Sequence, residues 1–404
     1  MTSANIFSPG MSQLRRWSAF ALLGSVLAGC GGGGGDSTAS NGSLRVAMTD
    51  APSCGYDHVY VTVDRVRVSQ SSTAADTDTG WTDIALSTPR RIDLLSLTNG
   101  VLEELGTTAL PAGRYSQVRL VLVDNTTASP LANAVQPTGG AIVPLSTPSA
   151  QQSGLKLQAS FDVAAGQMAD IVLDFDACKS IVKRGNSGQY NLKPVVSVFQ
   201  RLVSSIEGYV TNSFVIGSTT VAAQVNGVTV RSTMPDVTGR FSIPYLATGT
   251  YNVVVTSDGR STAVVTGVPV AAGLATALNG TATAIATPVS AMRNVSGVLS
   301  TTSGSSTSLL ANARVRALQT LTGPVSVEIA NVTVDADLGS YSLRLPAAAP
   351  MKAAYVAGTA PALVADTAAA GKYTVQASST GYITQDKAVD VTTVDSTTSF
   401  GFAP

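Results

Sequence analysis

Three times in this chain a glycine, one variable residue and a tyrosine lead into alternating apolar residues. The sites are Gly113-Arg114-Tyr115, Gly249-Thr250-Tyr251 and Gly371-Lys372-Tyr373. The first two sit inside Leu-x-x-Gly-x-Tyr. So short a motif arises wherever a turn feeds a strand, but here it belongs to a wider repeat. Val295-Ser296-Gly297-Val298 matches the opening Ile206-Glu207-Gly208-Tyr209-Val210, and Gly339-Ser340-Tyr341-Ser342-Leu343 matches Gly239-Arg240-Phe241-Ser242-Ile243. Period-two alternation turns Phe241 and Ile243 inward and puts Tyr251, Val253 and Val255 on one strand face. The pattern predicts three β-units of related design.

Composition agrees. The chain has 404 residues, too many for one ordinary domain. Only 12% are charged, and Val, Thr, Ser, Ala and Gly dominate, which favours strands over helices. The expected fold is all-β, three consecutive sandwiches of immunoglobulin or transthyretin type. The expected boundaries are a leader at 1–29, a Gly-rich tether at 30–42, and units at 43–202, 203–290 and 291–404. With 25 basic and 25 acidic residues there is no electrostatic case for a nucleic-acid partner.

In the first unit, strands are expected at Leu44–Met48, His58–Val68, Trp81–Leu86, Arg90–Leu95, Tyr115–Val123, Leu155–Val163, Met168–Phe175 and Tyr190–Phe199. Val59, Val61 and Val63 share one phase of the second strand, while Val66 and Val68 share the other. A bulge or a change of buried face near Asp64-Arg65 must reconcile them. Ser69–Gly80 and Asn125–Ala150 read as long loops, the latter around a short strand at Ala141–Leu145. In the third unit Pro346–Ala370 interrupts the repeat where the second unit has only Pro244–Thr248. A mobile loop without a role is the expectation for that insertion.

The N-terminus carries a basic pair, Arg15-Arg16, an apolar run from Trp17 to Val26, and Leu27-Ala28-Gly29-Cys30. This order is that of a secretory signal peptide, and the last four residues resemble the lipobox of bacterial lipoproteins. The resemblance implies acylation of Cys30, attachment to a membrane through that lipid and, with Gly31 next, transfer to the outer membrane. Two cysteines then remain, Cys54 and Cys178, an even remainder that suggests one disulfide in an oxidising compartment.

Several phrases of the first unit are similar to an uncharacterised family of bacterial lipoprotein domains, domain of unknown function 4382. They are Met48-Thr49-Asp50-Ala51-Pro52, Val59-Tyr60-Val61-Thr62-Val63, Ile92-Asp93-Leu94-Leu95, Leu110-Pro111-Ala112-Gly113-Arg114-Tyr115 and Leu173-Asp174-Phe175-Asp176-Ala177-Cys178. No catalytic residues come with that resemblance. The second and third units resemble the carboxypeptidase regulatory-like domain, a transthyretin-like sandwich related in fold to starch-binding domains.

Residues able to carry chemistry are few. His58 is the sole histidine, and a hydrolytic triad needs a base held by a third group. Cys54-x-x-x-His58 without a second pair is not a zinc site. Asp174 and Asp176, two apart on an expected strand, face the same way and with Asp50 or Asp57 could supply oxygen ligands to calcium. A solvated face or a turn cap at Cys178 is the competing reading. Trp81 could stack on a sugar or simply pack. No cofactor motif is present. The functional expectation is a non-enzymatic, lipid-anchored envelope scaffold or binding protein, its recognition surface in the long loops, its partner a glycan or an envelope protein. Carbohydrate binding through the starch-binding-like units and a hydrolase or metalloenzyme in the first unit are the alternatives.

Overall fold

The computed structural model describes residues 41–50, 55–148, 154–201, 204–211, 213–214, 216–303 and 306–403. These residues are almost entirely β, and they form three sandwiches, each around its own apolar cluster.

One strand order occurs in all three. In the first sandwich Asn41–Asp50 lies between Glu103–Pro111, antiparallel, and Met168–Phe175, parallel. The facing sheet places Tyr56–Ser69 between Trp81–Asp93 and Gly113–Leu122, and the last of these pairs with Leu155–Val163. In the second sandwich Ser205–Tyr209 lies between Arg240–Pro244 and the parallel strand Ala275–Ala277. Opposite it run Val228–Thr233, Thr219–Val225, Gly249–Ser257 and Ala263–Val270, in that order. The third repeats the scheme. Met292–Ser303 pairs with Ser340–Pro346 and runs parallel to Ser396–Thr397 and Phe400–Phe402. Val325–Thr333, Ala313–Leu321, Lys372–Ser379 and Gln385–Asp390 form its other sheet.

The repeated sequence signals have physical reasons. Each Gly-x-Tyr enters the equivalent strand of its sandwich, Gly113–Leu122, Gly249–Ser257 or Lys372–Ser379, and each tyrosine hydroxyl donates to an upstream carbonyl. Tyr115 reaches Pro111 at 3.1 Å, Tyr251 reaches Ala247 at 2.9 Å and Tyr373 reaches Pro346 at 2.6 Å. This tyrosine corner gives a buried phenol its partner and fixes the corner where the chain changes sheet. The paired glycines Gly208 and Gly297 sit where a Cβ would meet the ring of Phe241 at 2.7 Å or of Tyr341 at 3.0 Å. The repeated aromatic and the repeated glycine are therefore one packing unit.

The bulge expected near Asp64-Arg65 is present. The register of Tyr56–Ser69 shifts between Val63 and Arg65 against both neighbours, so Val59, Val61, Val63, Val66 and Val68 all enter one core. Other expectations need correction. Trp81–Leu86 and Arg90–Leu95 are one strand, Trp81–Asp93, followed by a 3-10 turn that Asp93 caps. Tyr190–Phe199 is two strands, Gln189–Leu192 and Val196–Gln200, interrupted at Pro194, which has no N–H for a ladder. Glu103–Pro111 was not anticipated as a strand.

The three long loops are built into the fold. Ser69–Gly80 is tied down by buried Arg119, which pairs with Asp76 and donates to the Ala74 carbonyl at 2.8 Å. Within Asn125–Ala150, Ala134–Pro137 and Val143–Ser146 extend the larger sheet of the first sandwich. The Pro346–Ala370 insertion forms the strand Met351–Ala354, which adds in parallel to Ala263–Val270, the edge of the second sandwich. Val364–Ala365 pairs with it in turn. A bare edge offers unpaired N–H and C=O groups. The insertion pairs with the Ala263–Thr266 part of that edge, and Tyr355 and Leu363 pack on the second core.

Candidate functional site: the junction of the three sandwiches

Alternation points Val221 and Ala223 into the second core and leaves Thr220, Ala222 and Gln224 on the opposite face. That face is covered by the third sandwich. Val254 and Val264 meet Leu321, Val327 and Ala369 in a separate apolar cluster. Beside it the Gln224 Nε2 donates to the Glu328 carbonyl at 2.7 Å, and the Glu328 amide donates to the Gln224 Oε1 at 2.8 Å.

The first sandwich closes the arrangement on both partners. Towards the second, Arg231 pairs with Asp174 at 3.0 Å, and its guanidinium lies 3.6 Å from the Phe199 ring centre. Both charged side chains are buried, at 7% and 10% exposure, so neither can rely on water. Burial pushes the Asp174 carboxyl above its ordinary range, with Arg231 opposing, and pushes the Arg231 guanidinium down, with Asp174 opposing. Nearby, the Thr233 hydroxyl donates to Asn99 Oδ1 at 2.8 Å, and the Tyr245 hydroxyl donates to the Gly100 carbonyl at 3.1 Å. Towards the third sandwich, the Lys179 carbonyl accepts from the Thr333 hydroxyl at 3.0 Å and from Arg314 at 3.3 Å. The Gly185 amide donates to Asp335 at 3.0 Å.

Residues at positive φ gather at these contacts. Among the described residues, Asn99, Asn226 and Tyr245 are the non-glycine residues at positive φ. Asn99 and Tyr245 make the contacts just given, and Gly227, beside Asn226, accepts from Arg316 of the third sandwich at 3.1 Å. A bulky residue such as Tyr at φ 59° is disfavoured unless its surroundings hold it.

Where the three bodies meet lies a half-open cavity of about 260 Å³. The first sandwich contributes Asp176, Cys178 and Lys179, the second its outward strand face, and the third Glu328 to Val332. Lys179 donates to Asp176 at 2.7 Å, and Glu328 lies 3.4 Å from Arg316.

The residues singled out in sequence are dispersed. Cys30 and Cys54 lie outside the described residues. Cys178 is on the short helix Ala177–Ser180. The four aspartates do not converge. Asp50 accepts from the Ala177 amide at 3.0 Å, and Asp57 accepts from the Gly139 amide at 3.0 Å. Asp174 faces Arg231, and Asp176 is not on a strand but caps the short helix, accepting from the Lys179 amide at 3.0 Å. Among the described residues no group of three or more His, Cys, Asp or Glu is placed to hold a metal, and no helix is long and apolar enough to cross a membrane. Trp81 is met by Arg119 at 4.7 Å and Arg67 at 5.1 Å, so its ring serves the protein's own cations.

His58 is not the solitary base the sequence suggested. Its Nδ1 lies 2.6 Å from Asp93 Oδ2, and its ring stacks on Tyr60 at 5.4 Å. The signal was in Ile92-Asp93-Leu94-Leu95, but only the pairing of Tyr60 with Asp93 across two strands brings the groups together.

Residues 41–194 match the family described as domain of unknown function DUF4382. Comparison with curated proteins gives no match. Among solved structures, a mutant type II cohesin–X-dockerin complex from Acetivibrio cellulolyticus is similar at 25% identity over 21% of this chain and 58% of that one, TM-score 0.18. The Bacillus anthracis TIE protein is similar at 12% identity over 90% of this chain and 51% of that one, TM-score 0.17. The Corynebacterium diphtheriae major pilin SpaA is similar at 11% identity over 90% of this chain and 100% of that one, TM-score 0.19. The chain thus spans only about half the length of the first two.

Proposed function

We propose that this protein is a non-enzymatic scaffold of the bacterial envelope, anchored to the outer membrane by lipid on Cys30 and presenting a rigid three-sandwich body to an envelope partner. The observation that carries the proposal is the mutual locking of the sandwiches. A strand of the third completes a sheet of the second, and each remaining pair is joined by buried or part-buried polar contacts. A chain that spends its buried charges on internal contacts is built to hold a shape. The Gly31–Gly35 tether suits a body standing off a lipid surface.

The scaffold role is tested by complementing a deletion strain and scoring envelope integrity. His58→Ala should restore the phenotype, whereas Cys30→Ala and the interface pair Arg231→Ala/Gln224→Ala should not. A hydrolase in the first sandwich is the second reading, favoured by the 2.6 Å contact of His58 with Asp93, because an imidazole held by a carboxylate is half of an acid–base machine. Loss of complementation in a folded His58→Ala protein, with a turnover that disappears alongside it, would favour the enzyme over the scaffold.

A further inference from the structure

The junction cavity carries an inference beyond the scaffold role, and it rests on the closed arrangement that role uses. At about 260 Å³ it is in the size class of a small solute rather than a chain segment. Its wall is mostly apolar and carries a few neutral groups that both donate and accept. Thr220 and Thr256 face each other across paired strands, and Ser232 comes from the neighbouring strand, where the Thr229 hydroxyl already donates to Glu328 Oε1 at 3.1 Å. Val254 and Ile329 add apolar wall. The charges at the cavity are already answered, Lys179 by Asp176 and Glu328 by Arg316, so a charged ligand would have to break an existing pair.

We propose that this cavity binds a small uncharged polyhydroxylated molecule, a monosaccharide or polyol, and that the bound molecule bridges all three sandwiches. Hydroxyl walls match ligand hydroxyls, and the apolar wall matches C–H faces. Because the walls come from three bodies, binding and closure are linked, and the ligand stabilises the closed form in proportion to its saturation.

The test uses the full-length chain, made soluble by Cys30→Ala, titrated with neutral monosaccharides and inositol to tens of millimolar by calorimetry and ligand-observed resonance. Saturable binding that raises the thermal midpoint is expected. Affinity should fall at least tenfold in the near-isosteric Thr220→Val/Thr256→Val protein and vanish in Ala222→Leu, which fills the space, while circular dichroism and midpoint show both folded. No saturable binding by any probe, or affinity unchanged in both folded variants, would overturn the cavity proposal. Either result leaves the scaffold role standing, because complementation measures that separately.

Discussion

Gln224 and Glu328 exchange two hydrogen bonds across the boundary between the second and third sandwiches, at 2.7 and 2.8 Å. Glu328 lies on Val325–Thr333, an edge strand of its sheet. The side-chain amide of Gln224 supplies the edge with what a neighbouring strand would, one acceptor and one donor. Both residues are buried, at 1% and 7% exposure.

Gln224→Leu should therefore leave a backbone N–H and a backbone C=O of Glu328 unpaired. At about 1–3 kcal/mol for each stranded group, a loss of roughly 2–6 kcal/mol is expected in chemical denaturation. A loss below about 0.5 kcal/mol, the range of ordinary surface substitutions, would mean the pair does not form.

Asp174 and Arg231 should behave as a buried ion pair. Arg231→Met alone strands the carboxylate and should cost about 3–5 kcal/mol, whereas Asp174→Leu/Arg231→Met should recover most of that loss. Denaturation of the two single variants and the double variant checks it. Additive losses would show that the two side chains do not interact.

The strand Met351–Ala354 should protect the edge it covers. Replacing residues 347–370 with a five-residue connection, the length found in the second sandwich, should speed hydrogen exchange along Ala263–Thr266 while the core amides of Thr219–Val225 stay protected. Unchanged exchange on Ala263–Thr266 would contradict the pairing.

Asp366 gives a pH dependence of definite sign. Burial raises its carboxyl, but the Thr322 amide and hydroxyl, Lys352 and the Ala369 amide outweigh it and hold the group below its usual range. A carboxyl lowered on folding stabilises above its unfolded value, near 3.9, and loses that contribution as pH falls through its folded value. The stability difference between wild type and Asp366→Ala should be full at pH 7 and shrink below about pH 4. A difference that grows on acidification would refute the assignment.

The elements and the repeat were legible in sequence because both follow from local alternation. The bulge at Asp64 was readable because five valines must share one core. The interfaces were not legible. Arg231 follows Val230 in a strand like any exposed arginine, and only the fold brings Asp174, 57 residues away in sequence, to meet it. The insertion misled for a similar reason. Its Ala- and Pro-rich composition signals a loop, while the unpaired edge that makes part of it a strand belongs to another sandwich. At His58 the partner sat in a quoted motif, but the register of two strands decided the contact.

The proposed Cys54–Cys178 disulfide would close a loop of over a hundred residues, an entropy effect on the order of 4–5 kcal/mol in the chain model. Thiol counting on unfolded, unreduced protein should find neither cysteine reactive. Two reactive thiols besides Cys30 would remove it.

Small-angle scattering of the soluble Cys30→Ala chain tests most directly that the three sandwiches are one closed body. A compact unit of this length has a radius of gyration of about 21 Å. A value near that, with a single-peaked distance distribution that broadens in Arg231→Ala/Gln224→Ala, is the predicted result. A radius well above that with separated peaks, the signature of sandwiches strung on linkers, would contradict the closed arrangement.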